Sequence, residues 1–340
     1  MVLVLAALAW SGCGGDDGDA GERDAVAAGE RFLDRYVDED GRVRRIDQGD
    51  DTVSEGQAYA LLVAVAVDDR ARFDLVWAWT EANLRRPDGL LSWHWADGAV
   101  SDAQPAADAD LDTAWALALA ARRWGEPYAG PAADMAAAIV RHEVAVLDGR
   151  VVLVAGPWAN RDPATVNPSY AGPVAGDVLA EVVGSAGPGQ AVDGLVQVVR
   201  DLVAEEGVAP DWAEVGADGE ATPIEAPGRD GPGRFGWDAV RVPVRLAASC
   251  DAEDRAVAGA HWAPLRDGAV ADEVAGHAVE SVARAAAAAG AGERDEAEDL
   301  LDEAEVRDEE SPTYFGAALV AVGRLLLETD RLGGCPPLAD

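Results

Sequence analysis

Three acidic residues stand at positions from which they could exchange protons with a bound substrate. Glu55 lies in the segment TVSEGQAYALL, Asp108 in AADADLDTAW and Asp238 in FGWDAVR. Each follows an irregular segment and precedes a run with helical periodicity, so each carboxylate is expected at a helix N-terminus. A carboxylic acid that donates a proton and a carboxylate that activates water form a general acid–base pair. These three residues are therefore the candidate catalytic residues.

Two of these acids also have a purely structural interpretation. Thr52 and Glu55 are spaced as a capping box, in which the Glu55 carboxylate would bond to the backbone of Thr52. Asp238 and Arg241 are spaced to form an ion pair one turn apart on a helix. Both interpretations stay open at the level of the sequence.

The aspartates around Asp108 allow more than one role. Asp108, Asp110 and Asp112 crowd the first turn of a predicted helix, where they would cap it and interact favourably with its dipole. The same three carboxylates could instead hold a metal ion, although the spacing and the glycine of an EF-hand loop are missing.

The elements that must position these residues are helices. Apolar residues recur at i, i+3, i+4 and i+7, and no convincing strand alternation appears apart from a short hairpin element at 150–155. About twelve helices in consecutive pairs indicate an all-α fold, an (α/α)6 barrel of six inner and six outer helices. A solenoid or an irregular bundle is the alternative, and the lack of a fixed-period repeat argues against the solenoid. The helices are predicted near 22–37, 53–68, 70–86, 108–124, 131–146, 171–184, 190–204, 238–249, 252–262, 271–289, 293–305 and 313–329.

Such a barrel explains how three distant acids can act together. Its inner helices begin at one common end, which would gather Glu55, Asp108 and Asp238 around a single cleft. This arrangement suits hydrolysis of a glycosidic bond, in which one acid protonates the leaving oxygen and one base activates water. Two long loops, 90–107 and 207–236, are expected to be functional because idle loops in compact domains are usually shorter.

Tryptophan is unusually frequent, which supports a sugar-binding groove. The chain has 11 Trp against 4 Phe and 5 Tyr. Trp93 and Trp95 lie in the first long loop, outside any clear helical stripe, and are expected to stack on pyranose rings. Tryptophans within predicted helices are expected in the core, namely Trp77, Trp79, Trp115 and Trp124.

The charge of the chain excludes several classes of partner. With 63 acidic and 27 basic residues, the formal net charge is −36, which would repel nucleic acid and anionic lipid. A neutral polysaccharide meets no such penalty. We expect a monomer that needs no cofactor.

The first residues resemble a bacterial lipoprotein signal. Residues 1–13 form a short apolar run ending in Ser-Gly-Cys, so cleavage before Cys13 and acylation of its sulfur would anchor the protein outside the cytoplasm. A buried first helix is the alternative, because the run is too short to span a bilayer. Residues 14–23 would then form an acidic tether and residues 24–332 the catalytic domain.

The two remaining cysteines, Cys250 and Cys335, are far apart in the sequence. In an exported protein they could form a disulfide that pins the C-terminal tail to the body of the domain. Two buried free thiols are the alternative.

Together these segments resemble glycoside hydrolase family 8, a family of bacterial endoglucanases that includes those of cellulose-synthesis operons. The resemblance covers roughly residues 25 to 330. It consists of four segments in the order of the family: 52–84, which contains TVSEGQAYALL; 106–124, AADADLDTAWALALAARRW; 167–170, NPSY; and 237–241, WDAVR.

This resemblance implies an (α/α)6 barrel and an inverting endo-β-1,4-glucanase that acts on cellulose-like glucan. By position, Glu55 would be the general acid, Asp238 the general base, and Asp108 a contact to the sugar at the cleavage point. Tyr170 would position the water or the distorted sugar. Arg241 would orient Asp238 and favour its ionised form.

Two further residues complete the candidate substrate-binding set, namely Tyr59 and Asp110. Two other functions remain as alternatives. One is a xylan-active member of the same family, and the other is a non-catalytic glycan-binding lipoprotein that assists export of an exopolysaccharide.

Overall fold

Helices dominate the part of the chain that the computed structural model describes, residues 18–229 and 231–339. The apolar residues at i, i+3, i+4 and i+7 give each helix a face to bury, which is why these segments fold as helices. The helices are α1 Gly18–Tyr36, α2 Ser54–Ala66, α3 Arg70–Asn83, α4 Ala107–Trp124, α5 Ala129–His142, α6 Pro173–Val183, α7 Gly187–Glu206, α8 Arg241–Ala247, α9 Ala252–Ala260, α10 Trp262–Arg266, α11 Ala278–Ala291, α12 Arg294–Glu310 and α13 Tyr314–Glu328.

Six of these helices form a closed inner ring. In order, α2, α4, α6, α8, α11 and α13 each pack against the next, and α13 packs against α2. The outer helices α1, α3, α5, α7, α9 and α12 cover this ring from outside. The predicted (α/α)6 barrel is therefore confirmed.

Burial distinguishes the two layers. Every residue of α2 except Glu55 is buried, as expected for a helix surrounded by others on all sides. By contrast, α12 buries only Ala297, Leu300, Leu301 and Ala304, a single stripe on an otherwise charged helix. The one inner residue that α2 leaves accessible is thus an acid at its N-terminus.

No described helix combines the length and the apolar character needed to cross a bilayer.

Two predicted helices begin later than expected. The helix predicted at 238–249 begins at Arg241, and that predicted at 271–289 begins at Ala278. In both cases the preceding residues form hydrogen-bonded turns, in which Arg241 N donates to Asp238 O at 3.1 Å and Val274 N donates to Ala271 O at 2.9 Å. Turns of this kind carry the same short-range apolar spacing as a first helical turn, so periodicity does not separate them.

Short strands form three small antiparallel sheets, of which the sequence predicted only one hairpin. The orders are β1-β2-β3, β4-β5 and β6-β7-β8. The strands are β1 Thr52–Val53, β2 His94–Ala96, β3 Ala99–Asp102, β4 Val144–Leu147, β5 Arg150–Leu153, β6 Ala164–Val166, β7 Trp212–Val215 and β8 Ala221–Ile224.

The predicted absence of other strands was wrong because these strands span two to four residues, too few to show alternation. A turn signal was present nonetheless. Asp97 and Gly98 join β2 to β3, and Asp148 and Gly149 join β4 to β5, all four with positive φ. Asp-Gly in a two-residue loop is the signature of a hairpin. Each of the two long loops predicted from the sequence contains a hairpin, namely β2–β3 in 90–107 and β7–β8 in 207–236.

The C-terminal tail is tied to the inner helices at the end opposite their N-termini. Cys250 and Cys335 form a disulfide, which resolves the two alternatives left by the sequence. Trp115 Nε1 donates to Leu332 O at 3.1 Å, and Arg331 Nη1 donates to Ala66 O at 2.8 Å. The tail therefore holds α2, α4 and the end of α8 together.

The N-terminal predictions fall mostly outside the described residues. The signal-like run, residues 1–13 with Cys13, lies outside the described residues. The predicted tether, 14–23, overlaps α1, which begins at Gly18. Glu22 on α1 pairs with Arg331 at 2.6 Å, a contact that favours helix over tether here.

Candidate active site

One buried arginine lies at the centre of the candidate site. Arg241 is 2% exposed. Its Nη1 binds the carboxylate of Glu55 and lies 3.2 Å from Asp108 Oδ2, while its Nη2 donates to Asp238 Oδ1 at 2.5 Å. The three predicted catalytic acids therefore converge on a single guanidinium.

The barrel brings these acids together through its inner helices. Glu55 lies in the first turn of α2, Asp108 in the first turn of α4, and Asp238 immediately before α8. Arg241 is the first residue of α8. Because the three N-termini lie at the same end of the ring, residues separated by more than a hundred positions meet there.

The capping-box interpretation of Glu55 is wrong. The N-cap of α2 is Val53, with no side-chain capping bond, and Thr52 belongs to β1. The Thr52 hydroxyl donates to Val43 O at 2.7 Å instead. Glu55 is thus directed into the site. For Asp238, the alternative ion pair with Arg241 does form, but the same arginine also binds the other two acids.

Accessibility separates the roles of the three acids. The side chains of Glu55 and Asp238 are 23% and 31% exposed, whereas that of Asp108 is only 6% exposed. Burial raises the pKa of the Asp108 carboxyl to about 7, against the lowering effect of Arg241. Two acids therefore reach the solvent-filled cleft, while the third lies at its base and holds a proton for part of the time near neutral pH.

Hydroxyl groups surround the central guanidinium. The Tyr314 hydroxyl donates to Glu55 Oε1 at 3.3 Å, and Arg241 Nε donates to Ser169 Oγ at 3.0 Å. Tyr59 OH lies 3.4 Å from Arg241 Nη1, and the Tyr170 ring centroid lies 5.7 Å from the guanidinium carbon. Burial raises the pKa of all three phenols, so they stay protonated donors.

Asp110 does not lie where a substrate-binding residue would. It is 0% exposed, and its Oδ1 accepts a hydrogen bond from Leu91 N at 2.8 Å. On its other side it faces the buried carboxyl of Glu143, and burial raises the pKa of both groups well above their ordinary values. The prediction for Asp110 is therefore wrong, because its side chain points away from the cleft.

The three clustered aspartates have separate partners. Asp108 binds Arg241, Asp110 binds the Leu91 amide, and Asp112 binds Arg245. Carboxylates that point to three different partners share no coordination point, which removes the alternative of a metal site at this cluster. Within residues 18–229 and 231–339, no group of three or more His, Cys, Asp or Glu side chains is placed to hold a metal ion.

The rings of the two loop tryptophans contact other protein groups. The Trp93 ring stacks on that of His94 with centroids 4.8 Å apart. Trp95 contacts Trp79 edge-on at 5.4 Å and lies under the Arg42 guanidinium at 4.5 Å. Both loop tryptophans are half-buried and pack against the core.

Other aromatic residues line the cleft. A cavity of about 370 Å³ opens beside the acids, lined by Arg45, Asp47, Gln48, Glu55, Trp237, Asp238, Thr313, Tyr314 and Phe315. Trp237 is 37% exposed, and its ring packs edge-on against His277 and Phe315. Sequence reasoning did not select Trp237, although it directly precedes Asp238. It also missed Phe315, which belongs to a helix that carries no acid in its first turn.

A polar network holds the strand that leads into α2. Asp51 accepts hydrogen bonds from Arg45 Nε and Nη2 at 2.7 and 2.5 Å, and lies 2.7 Å from His94 Nε2. Ser101 Oγ lies 2.6 Å from His94 Nδ1. Asp51 precedes β1, so the network fixes the sheet from which Glu55 emerges.

Asp211 was also missed, and it contacts the backbone around Asp238. Its Oδ1 accepts hydrogen bonds from the amides of Gly236, Asp238 and Ala239 at 3.0, 3.0 and 2.7 Å. Burial, together with the Asp238 charge, raises the pKa of the Asp211 carboxyl to about 6, although the three amides act to lower it. Asp211 lies 27 positions before Asp238, and no local pattern links the two.

Comparison with known proteins identifies the family that this arrangement belongs to. The family model of the glycosyl hydrolases family 8 matches residues 4–327. An endoglucanase of Cellulomonas uda is 30% identical over 231 residues, which cover 66% of this chain and 63% of the relative. The chain spans about a third to two thirds of the length of the curated relatives it matches.

Solved structures share the fold over nearly the whole described chain. Endoglucanase Cel10 of Klebsiella pneumoniae, a family 8 glycosyl hydrolase, superposes with a TM-score of 0.70 at 26% identity. That match covers 88% of this chain and 98% of the other. A β-1,3-1,4-glucanase of Paenibacillus sp. X4 superposes with a TM-score of 0.77 at 17% identity, covering 93% of each chain.

Proposed function

Because the chain belongs to glycosyl hydrolase family 8, we propose that it is an endoglucanase that hydrolyses a cellulose-like β-1,4-glucan. In this proposal the reaction inverts the anomeric centre. Glu55 is the general acid that protonates the leaving oxygen, and Asp238 is the general base that activates water. The chain itself supplies both groups.

The observation that carries this proposal is the convergence of three carboxylates on Arg241. A structural ion pair needs one acid, whereas Arg241 binds Glu55, Asp108 and Asp238 from three separate segments of the chain. Burying a positive charge is costly unless anions compensate it, and here three carboxyl groups surround one cation. The excess of carboxylates beside an open cavity is what acid–base hydrolysis of a neutral polymer needs.

The surroundings of the two accessible acids support their separate roles. Glu55 shares its carboxylate between Arg241 and the Tyr314 hydroxyl, and it faces the cavity from α2. Asp238 binds a different nitrogen of the same guanidinium. In an inverting hydrolase the two carboxyl groups lie about 6.5–9.5 Å apart, because a water must fit between the base and the sugar.

Asp108 is proposed to bind the sugar at the cleavage point. Its pKa of about 7 means that near neutral pH it exists in both protonation states, so it can donate to a hydroxyl as well as accept from one. Tyr170 and Tyr59 stay protonated and lie against the same guanidinium. These phenols are proposed to position the water and the distorted sugar ring.

An aromatic platform beside the acids is proposed to hold a neighbouring sugar. Trp237 and Phe315 line the cavity next to Glu55 and Asp238. The exposed face of an indole packs well on the C–H face of a pyranose, and its N–H can bond a hydroxyl. The sugar-stacking role predicted for Trp93 and Trp95 stays a separate proposal.

The protein is proposed to work outside the cytoplasm. The disulfide between Cys250 and Cys335 supports this, because structural disulfides persist in oxidising compartments and are rare in the cytosol. Anchoring through an acylated Cys13 remains part of the proposal. A polysaccharide substrate would be met in the same compartment.

The decisive experiment measures release of reducing ends from carboxymethylcellulose, lichenan and xylan. Wild type is compared with Glu55→Gln and with Glu39→Gln, the same change at an exposed glutamate. We expect hydrolysis by wild type and Glu39→Gln, with the preferred polymer naming the glucan, and loss of nearly all activity in Glu55→Gln. Binding of glucan without any hydrolysis by wild type would favour the non-catalytic glycan-binding lipoprotein instead.

A further inference from the structure

Three backbone amides of the loop that carries the proposed base share one side-chain acceptor. Asp211 Oδ1 accepts from three backbone amides, those of Gly236, Asp238 and Ala239. Among the described residues, no backbone carbonyl accepts a hydrogen bond from any of these amides. The amides of this loop are therefore fixed by a residue from another part of the chain, whereas the helix that follows bonds to its carbonyls, with Arg241 N donating to Asp238 O at 3.1 Å.

The other oxygen of Asp211 lies against the chain at Gly236. A Cβ atom at this position would lie 2.2 Å from Asp211 Oδ2 and 3.1 Å from Asp211 Cγ. No side chain fits there without displacing the carboxylate. The glycine and the aspartate are thus complementary, and the close approach is what lets one oxygen reach three amides.

Asp211 and the residue that follows it are both held in place by contacts with other parts of the chain. Its amide donates to Arg234 O at 2.8 Å, which links the start of the β7–β8 hairpin to the end of the long loop. Trp212, the next residue, is the first residue of β7 and packs on Trp158 and Tyr170. A rigid sheet therefore supports the oxygen that holds the loop.

From this geometry we infer that Asp211 is a positioning residue for the general base. It fixes the backbone at Asp238 so that the carboxylate keeps its place between Arg241 and the cleft. The inference rests on the proposed function, in which Asp238 activates water. Asp211 itself lies behind the loop and does not touch the reacting atoms.

The loss expected on removing this support concerns turnover and not binding. A base that activates water contributes little to holding the polymer, so a displaced base lowers kcat while KM stays near its original value. Misplacing a reacting group by about 1 Å can lower the rate by about 10²-fold. A change that merely loosened the fold would instead act on stability, and on kcat and KM together.

The test compares three variants with wild type. Asp211→Ala removes the acceptor, whereas Asp211→Asn keeps a carbonyl oxygen that can receive the same amides. Asp218→Ala is the control, because Asp218 is an exposed aspartate on the turn of the same hairpin. For each protein we would measure kcat and KM on the preferred glucan, the melting temperature, and hydrogen exchange at the amides of 236, 238 and 239.

We expect Asp211→Ala to lose about 10²-fold in kcat with little change in KM, and to exchange these three amides faster. Asp211→Asn should recover most of both properties, and Asp218→Ala should match wild type. A kcat near wild type in Asp211→Ala, or unchanged exchange at the three amides, would overturn the inference. If Asp211→Ala does not fold, Gly236→Ala displaces the same carboxylate and should give the same result.

The exchange measurement separates this inference from the proposed function. If wild type hydrolyses no glucan, the proposed function fails, and with it the assignment of Asp238 as a base. Faster exchange in Asp211→Ala would then still show that Asp211 holds the loop. If wild type hydrolyses glucan but the three amides of Asp211→Ala exchange no faster than those of wild type, only the role inferred for Asp211 is rejected.

Discussion

Asp112 and Arg245 form a bidentate ion pair between α4 and α8, with N···O distances of 2.7 and 2.6 Å. Each residue lies four positions after a residue of the candidate active site, Asp108 on α4 and Arg241 on α8. Two parallel Asp–Arg contacts therefore join the same two helices, one turn apart. The Asp112–Arg245 pair is buried, and it fixes the relative position of the two helices, which also carry the Asp108–Arg241 contact.

The Asp112–Arg245 pair should matter for the stability of the fold more than for the reaction. Removing one partner of a buried ion pair leaves an uncompensated charge, which typically costs about 3–5 kcal/mol. We therefore expect Asp112→Ala to lower the free energy of unfolding by about that amount, measured by urea denaturation. The double variant Asp112→Leu/Arg245→Met should recover much of the loss, since it leaves no unpaired charge. A double variant as unstable as the single one would contradict this explanation.

The spacing of these pairs shows what the sequence could and could not predict. Helical periodicity identifies the helices, and with them the barrel, because burial of an apolar face is a local property. The same periodicity places Asp108 and Asp112 on one face and Asp110 on the opposite one. The error at Asp110 could thus have been avoided from spacing alone, since two positions along a helix is more than half a turn.

Other parts of the site depend on contacts that no local pattern encodes. Asp211 meets the Asp238 loop only after the β7–β8 hairpin and the barrel have formed. The surroundings of Trp95 have the same origin, because its neighbours Arg42 and Trp79 come from distant segments. Sequence patterns identified the charged centre, whereas its supports required the structure.

Stereochemistry provides a direct test of the proposed roles of Glu55 and Asp238. An inverting enzyme acting on a β-linked glucan releases new reducing ends as the α-anomer, because water attacks opposite the leaving oxygen. We expect proton NMR of cello-oligosaccharide hydrolysis to show the α-anomer first, before mutarotation. Asp238→Asn should slow the reaction by about 10²–10⁴-fold. Early appearance of the β-anomer would indicate a retaining mechanism and a different role for Asp238.

Trp237 should contribute to substrate binding. Its ring is partly exposed on the cavity wall next to the acids, so Trp237→Ala removes a stacking surface but no charged group. We expect KM for the glucan to rise about tenfold, which corresponds to about 1.4 kcal/mol, with a smaller change in kcat. Trp262→Ala, at a half-buried tryptophan outside the cavity lining, is the matched control and should leave KM unchanged. Equal KM values for both variants would remove Trp237 from the binding surface.

The disulfide should stabilise the barrel through its C-terminal tail. Cys250 and Cys335 are separated by 85 positions, and a crosslink over a loop of this kind is worth about 2–4 kcal/mol. We expect the double variant Cys250→Ser/Cys335→Ser to unfold at a lower urea concentration, and a reducing agent to lower the melting temperature of wild type alone. A melting temperature that does not respond to reductant would show that the hydrogen bonds of the tail suffice.

Buried carboxyls should make the protein less stable as the pH rises from acidic to neutral. Burial raises the pKa of Asp108 and Glu328 to about 7 and that of Asp211 and Asp308 to about 6. In the unfolded chain these groups ionise near pH 4. Between these values the native state binds more protons than the unfolded state, so their contribution to stability is complete below about pH 4 and is lost by about pH 7.

We therefore expect a lower melting temperature at pH 8 than at pH 5.5, at constant ionic strength. Asp308→Asn tests the cause without touching the active site. Asp308 is half-buried near Arg31 and Arg35 of α1 and Glu309 of α12, and asparagine has nearly the same shape without the ionisable group. The decline between the two pH values should be shallower in this variant, because one of the titrating groups is gone. A parallel decline would assign the pH dependence to groups other than Asp308, and a melting temperature that rises toward pH 8 would contradict the argument as a whole.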